Sequence, residues 1–91
     1  MSKIPGGVLP YNGKWPKLAD DVFVAPGAQI IGDVEIGSGS SIWFNTVIRA
    51  DDNPVRIGKR VNIQDGSVVH VHSKYQGTYI GDDVTVGHMV L

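Results

Sequence analysis

Residues 24–48, with the sequence VAPGAQIIGDVEIGSGSSIWFNTVI, carry an aliphatic residue at every sixth position. These positions are Val24, Ile30, Ile36, Ile42 and Ile48. An amphipathic helix would repeat its apolar residues at spacings of three and four, so a period of six argues against one. The period instead predicts short β-strands, each followed by a tight corner at which glycine supplies a positive φ angle.

The same series continues toward the end of the chain after two interruptions. It restarts after three extra residues at Ile57, Ile63 and Val69, and after five extra residues at Ile80 and Val86. Three such strands close a triangular turn, and in stacked turns equivalent strands pair about 4.8 Å apart. We therefore predict an all-β fold, a parallel β-helix (β-solenoid) shaped as a triangular prism, rather than a β-sandwich.

The three faces of this prism collect the aliphatic residues in order. Face one carries Val24, Ile42, Ile63 and Val86, face two carries Ile30, Ile48 and Val69, and face three carries Ile36, Ile57 and Ile80. Both extra segments, at 49–56 and 70–79, then fall at the corner that leaves face two. Loops along one edge are a common way for a solenoid to build a site. Residues 1–20 lack the series, which predicts a lead-in or capping segment there and a β-helix domain at 21–91.

Composition limits the class of protein. The chain has 91 residues, of which 42% are hydrophobic and 19% charged, with a formal net charge of -1. It is too apolar for disorder and too close to neutral to bind nucleic acid by neutralising phosphates. The absence of cysteine excludes disulfides and thiolate metal sites. No stretch approaches the roughly 20 apolar residues of a membrane span, and no secretory signal is evident, so we expect a cytoplasmic protein.

Four polar residues occupy equivalent corners of successive turns. His70 and Arg49 each directly follow the central aliphatic residue of a face-two strand, whereas Asp65 and His88 each follow a face-one aliphatic by two positions. The two histidines therefore lie at different edges, too far apart to bind one ion within a chain. If three prisms pack about a threefold axis, one chain's face-one edge meets its neighbour's face-two edge, and the histidines converge.

Such convergence predicts a metal site at the interface. Three neutral imidazoles with one open position are the catalytic arrangement for zinc. The sequence supplies two, and the six-residue count continued from Val86 places a third ligand above His70 at position 93. We therefore expect the chain to be part of a longer protein, and we expect a site with two histidines to bind zinc too weakly for substantial activity.

Two stretches of the sequence resemble one known family. Residues 48–71, IRADDNPVRIGKRVNIQDGSVVHV, and 79–91, YIGDDVTVGHMVL, are similar to the γ-class carbonic anhydrases, which are left-handed β-helix proteins. The resemblance implies a left-handed homotrimer with zinc, or iron or cobalt, at its subunit interfaces. It also implies reversible hydration of carbon dioxide to bicarbonate by a metal-bound hydroxide. A hexapeptide-repeat acyltransferase and a structural family member with weak turnover stay as alternatives.

The resemblance also assigns the metal and interface positions. His70 and His88 match two of the family's three metal-binding histidines. Arg49 and Asp51 match the pair that bridges neighbouring subunits. These assignments agree with the edge positions inferred from the repeat.

Further residues match catalytic positions of the family. Gln64 matches the residue that orients the metal-bound water, and Asp65 is its acidic neighbour. Asn62 matches a residue near the pocket, and Asp52 falls where some members carry a catalytic glutamate. The loop after His70 lacks the acidic proton shuttle of the fully active archetype, so His72 is a candidate to accept protons there.

Overall fold

The structure, a computed structural model, describes residues 7–70 and 77–88, with residues 51 and 52 described by their strand assignment alone. Within these residues the fold consists of ten β-strands and contains no helix, so this part of the chain holds no helix that could cross a membrane. The strands are β1 Val8–Leu9, β2 Lys17–Leu18, β3 Phe23–Val24, β4 Gln29–Ile36, β5 Ser41–Ile42, β6 Val47–Ile57, β7 Asn62–Ile63, β8 Val68–His70, β9 Thr78–Ile80 and β10 Thr85–Val86.

The strands pair in parallel and in the predicted register. One sheet, in the order β10-β7-β5-β3, is face one. The other contains β1, β4, β6 and β8 with β2 and β9, and it forms faces two and three because β4 and β6 continue around the corner between them. On face two, Ile30 pairs with Ile48, which pairs with Val69. The predicted all-β parallel β-helix is therefore confirmed.

The hydrophobic core is a column inside the prism. Ile30, Ile42, Ile48 and Ile63 are completely inaccessible to solvent. Residues toward the ends of the stack, such as Val24 and Val86, pack against this column but are only partly buried. The six-residue series therefore points inward, as the sequence predicts.

Buried hydroxyl groups connect consecutive turns at the corners. Thr46 Oγ1 donates to the Gln64 carbonyl at 2.9 Å, and Ser67 Oγ donates to the Gly87 carbonyl at 2.6 Å. Ser40 Oγ donates to the Gly58 carbonyl at 2.9 Å and accepts from the Val61 amide at 3.0 Å. Each hydroxyl thus satisfies backbone groups that the corner removes from the strand ladder.

The predicted role of the glycines that directly follow the aliphatic series is only partly correct. Gly32 has a positive φ of 85°, but at two other corners the positive φ falls three residues after the aliphatic. These positions are Gly27, Asn45 and Gly66 at one corner, and Gly39, Arg60 and Asp83 at the other. Gly37 is required for a different reason: a Cβ there would lie 2.8 Å from the carbonyl of Gly58 in the next turn. Close contact between turns, rather than φ, selects glycine at that position.

Part of the predicted lead-in segment continues the stack. The strand β1 pairs with β4 on face two, and β2 pairs with β4 on face three. Between them, Tyr11 and Lys14 exchange backbone hydrogen bonds of 2.9 and 3.0 Å in a tight turn. Extra residues therefore occur at the corner leaving face two in this turn as well as in the two later turns.

Candidate functional site

Arg49 and His70 lie side by side at the corner leaving face two. Their Cα atoms are register partners in the β6–β8 pair, and Arg49 Nη2 lies 2.9 Å from His70 Nε2. Both side chains are half-buried. The sequence prediction that these residues share one corner, one turn apart, agrees with this geometry.

The contact defines the protonation pattern of the His70 ring. A guanidinium is always protonated and can only donate hydrogen bonds. His70 Nε2 must therefore accept with its lone pair, which makes the ring in this contact the neutral Nδ1–H tautomer. An unprotonated imidazole nitrogen is also the form that binds a metal ion.

The same edge is apolar further along the stack. Leu9 pairs with Ile31, Ile31 pairs with Arg49, and Arg49 pairs with His70, so these four residues form a single outward column. Leu9 is 41% exposed. The column, called the face-two edge below, therefore changes from aliphatic at one end to cationic and imidazole at the other.

Face one has a parallel arrangement, called the face-one edge below. Phe44, Asp65 and His88 each follow a paired residue of β5, β7 or β10 by two positions, so they occupy equivalent places in successive turns. Phe44 and His88 are exposed and Asp65 is half-buried. This edge likewise changes from apolar to ionisable along the stack.

Gln64 lies next to this edge, and both its backbone amide and its backbone carbonyl form hydrogen bonds. Its amide donates to the Val86 carbonyl at 3.0 Å, and its carbonyl accepts from Thr46 Oγ1 at 2.9 Å. The side chain is half-buried. The backbone bonds hold Gln64 rigidly between turns, which leaves its side-chain amide for other contacts.

Asn62, on β7, is held by a short chain of hydrogen bonds. Trp43 Nε1 donates to Ser41 Oγ at 3.0 Å, and Ser41 Oγ donates to Asn62 Oδ1 at 3.0 Å. The indole of Trp43 contacts the ring of Phe23, with centroids 4.9 Å apart, and that of Phe44, at 6.1 Å. Sequence analysis identified Asn62 but missed the roles of Ser41 and Trp43, since the repeat does not reveal side-chain hydrogen bonds.

A second group that the sequence did not indicate also lies at the corner leaving face two, where the chain enters face three. Arg56 bonds Asp33 through Nη2–Oδ1 at 3.0 Å and donates from Nη1 to the Asp33 carbonyl at 2.8 Å. Its Nε lies 3.6 Å from Glu35 Oε2. Lys14 Nζ lies 3.9 Å from the other Asp33 oxygen. No sequence motif marks this network. Only the strand register, which pairs Arg56 with Glu35, could have predicted it.

The structure does not bring all predicted site residues together. His70 ends β8 in the larger sheet, whereas His88 follows β10 in the smaller one. Across residues 7–70 and 77–88, no three His, Cys, Asp or Glu residues form a group that could hold a metal ion. The side chains of Asp51 and Asp52, and the whole of His72, lie outside the described residues.

The donor set can be tested against the metal that the resemblance implies. One imidazole on each of two edges does not fit an ion bound within a single chain. These two imidazoles could bind one ion only if a second chain brought the two edges together; His88 is solvent-exposed, and His70 Nε2 is engaged by Arg49. Binding through Nε2 would require Arg49 to release that atom.

Comparison with known proteins identifies relatives of the chain. Residues 16–50 match the family model described as bacterial transferase hexapeptide (six repeats). The chain is 52% identical over 84 residues to a carbonic anhydrase of Geobacillus kaustophilus, which covers 92% of this chain and 46% of that protein. It is 52% identical over 80 residues to gamma carbonic anhydrase 2, mitochondrial, of Arabidopsis thaliana, covering 82% of this chain and 29% of that protein.

A solved structure agrees with the fold. A crystal structure of a hexapeptide transferase family protein from Anaplasma phagocytophilum superposes with a TM-score of 0.85 at 43% identity, covering 91% of this chain and 48% of that one. The chain thus spans less than half the length of each relative.

Proposed function

Because this chain belongs to the hexapeptide-repeat β-helix family of the γ-class carbonic anhydrases, we propose that the protein containing it catalyses the reversible hydration of carbon dioxide to bicarbonate. The observation that carries the proposal is the Arg49–His70 contact, in which the imidazole has an unprotonated Nε2 at the edge of the prism. Two proteins named as carbonic anhydrases are identical to this chain at about half of the aligned positions, which supports the proposal.

The active assembly in this proposal is a homotrimer. The prism leaves large apolar side chains such as Leu9, Phe23 and Phe44 more than 40% exposed. Both edges become apolar in the same direction along the stack. Packing the face-one edge of one chain against the face-two edge of the next buries these apolar ends together and brings His88 close to His70 of the neighbouring chain.

His70 and His88 would hold a zinc ion at that interface. When bound, zinc supplies the Lewis acidity that makes water a nucleophile near neutral pH. Arg49 has five N–H donors, so a guanidinium that releases His70 can engage Asp51 of a neighbouring chain and tie the two subunits together.

The remaining polar residues act on water and on the proton. The side chain of Gln64 would accept a hydrogen bond from the attacking water, or donate one to it, and fix the direction of the water. The water oxygen bonds to the carbon of carbon dioxide while one water proton leaves, which gives bicarbonate. Asp65 and Asp52 are the carboxylates, and His72 the imidazole, that would accept this proton and pass it to solvent.

The test is to measure zinc content, subunit number and carbon dioxide hydration on the complete protein. Wild type should be a trimer with stoichiometric zinc and should hydrate carbon dioxide in a stopped-flow assay. His70→Ala and His88→Ala should each lose both zinc and turnover. Tyr79→Ala serves as control because this side chain is 69% exposed on face three. Full zinc occupancy in both histidine variants would refute the assignment.

The second candidate is an acyltransferase. The matched family model and the Anaplasma structure are both described as hexapeptide transferases, which favours it. A transferase of this kind would bind a coenzyme A thioester and would keep its activity after zinc is removed with a chelator. Binding of acetyl-coenzyme A to the chelated protein, with no hydration of carbon dioxide by the zinc-loaded form, would select this function.

A further inference from the structure

Ser41 lies between two polar groups that restrict how it can use its hydroxyl. Trp43 Nε1 approaches Ser41 Oγ at 3.0 Å, and Asn62 Oδ1 lies 3.0 Å from the same oxygen. The indole N–H is a donor only, so Ser41 must accept from it. In the structure the hydroxyl hydrogen of Ser41 is donated to Asn62 Oδ1.

This arrangement determines the orientation of the Asn62 amide. A side-chain amide has one accepting oxygen and one donating nitrogen, and only the oxygen can accept the hydroxyl hydrogen. Asn62 Oδ1 therefore faces Ser41, and Nδ2 faces away from it with two N–H donors. Within the described residues, Nδ2 has no hydrogen-bond acceptor. The half-buried Asn62 thus presents donors and no acceptor to whatever lies beyond it.

Strand pairing and ring packing hold the residues that set this orientation. Ser41 and Asn62 are register partners on β5 and β7, in the middle of the smaller sheet. The Trp43 ring is packed against Phe23 and Phe44, at centroid distances of 4.9 and 6.1 Å. Rotation of the Asn62 amide by half a turn would replace the accepting oxygen by a donating nitrogen, which costs the part-buried hydrogen bond from Ser41 to Oδ1.

We propose that Ser41 and Trp43 are positioning residues that lock Asn62 as a hydrogen-bond donor to an oxygen atom of bicarbonate. This inference rests on the proposed hydration of carbon dioxide. It adds the chemical reason why Asn62 would bind bicarbonate. Two fixed N–H groups favour an anionic oxygen acceptor and disfavour a cation. Asn62 is therefore assigned to substrate and not to the metal, although its amide oxygen belongs to a class that binds cations.

The first experiment reads the amide orientation directly. Nuclear Overhauser contacts of the Asn62 Nδ2 protons are measured in the zinc-loaded complete protein, with Ser41→Ala as comparison. We expect no contact between these protons and the Ser41 Hβ protons in wild type, and a mixture of both orientations in Ser41→Ala. A strong contact in wild type would overturn the proposal, whether or not the protein hydrates carbon dioxide.

The second experiment measures the consequence for the ligand. Bicarbonate affinity is determined by calorimetry, and the KM for bicarbonate is determined in the dehydration direction. Ser41→Ala should weaken both about three- to tenfold, the loss expected for one hydrogen bond, while zinc content and fold are unchanged. Ser41→Thr keeps the hydroxyl and should restore both values, and Trp43→Phe, which keeps an aromatic side chain but removes the indole N–H, should weaken them in the same direction.

The outcomes separate this inference from the proposed function. Exposed Ser38, which donates to Asp21 Oδ2 at 2.8 Å, provides the control Ser38→Ala and should leave bicarbonate binding unchanged. If Ser41→Ala binds bicarbonate as wild type does while wild-type turnover is normal, the positioning role is wrong and the hydratase function stands. If bicarbonate binds through a locked Asn62 but no hydration occurs, the positioning role stands and the hydratase function is wrong.

Discussion

Nη2 of Arg49 donates a hydrogen bond to Nε2 of His70 across two consecutive turns of the β-helix, at 2.9 Å. The two residues are 21 positions apart in sequence and adjacent in the stack. The bond occupies the imidazole nitrogen through which the proposed zinc ion would bind, so zinc binding at His70 would have to displace Arg49.

A double-mutant cycle measures this bond. In the metal-free protein, Arg49→Ala, His70→Ala and the double variant should show a coupling free energy of about 0.5–1.5 kcal/mol, the net value of one hydrogen bond, in urea denaturation. Nitrogen NMR should identify Nδ1 as the protonated ring nitrogen of His70. The coupling should disappear when zinc is added, and a coupling that persists undiminished would place the metal elsewhere than His70 Nε2.

Gly37→Ala should destabilise the fold by crowding two turns. The added Cβ would lie 2.8 Å from the carbonyl carbon and oxygen of Gly58, which are backbone atoms that cannot rotate away. We expect a loss of about 1–3 kcal/mol in the free energy of unfolding, as for other overpacked sites. Gly81→Ala is the matched control because no atom lies within 4 Å of a Cβ at that position. Equal effects of the two substitutions would contradict the argument.

Ser40→Ala should remove two hydrogen bonds from the corner between faces three and one. The hydroxyl of Ser40 donates to the Gly58 carbonyl and accepts from the Val61 amide, and the serine is only 1% exposed. The variant leaves the Val61 N–H buried without an acceptor, which costs about 1–3 kcal/mol. Thermal unfolding compares it with Ser38→Ala, whose hydroxyl bonds an exposed carboxylate. A Tm for Ser40→Ala at or above that of the Ser38 variant would count against this account.

The Arg60–Asp83 pair should make stability depend on pH in the acid range. A hydrogen bond from the Arg60 guanidinium lowers the pKa of Asp83 below its ordinary value of 3.8. A carboxyl group whose pKa is lower in the folded state stabilises the fold above pH 3.8, and this contribution is lost as the pH falls through the lowered folded pKa. Asp83→Asn should therefore lower the Tm at pH 7 and have no effect on it well below that pKa.

Asn suits this test because Asp83 has a φ of 62°, a conformation that asparagine tolerates. Asp20→Asn is the control, since Asp20 is exposed and has no hydrogen bond to other described residues. A Tm difference between wild type and Asp83→Asn that stays constant across the acid range would show that the ion pair is not its cause.

The amino-acid sequence alone determined the β-helix, the assignment of each aliphatic residue to a face, and the pairing of Arg49 with His70. A period of six is sufficient for this because each strand hydrogen-bonds its own equivalent one turn away, so a count of residues is also a map of neighbours. The family resemblance identified Asn62 and Gln64 by motif.

The tertiary structure decided what the count of residues leaves open. Side-chain bonds such as Trp43 to Ser41 to Asn62, and the Arg56 network with Asp33, depend on rotamers and on the exact distance between turns, which periodicity does not encode. The corner glycines divide into those that need a positive φ and those that need space, because only coordinates show how closely Gly37 approaches Gly58. Sequence repeats therefore specify which residues are neighbours, and packing specifies what those neighbours do to one another.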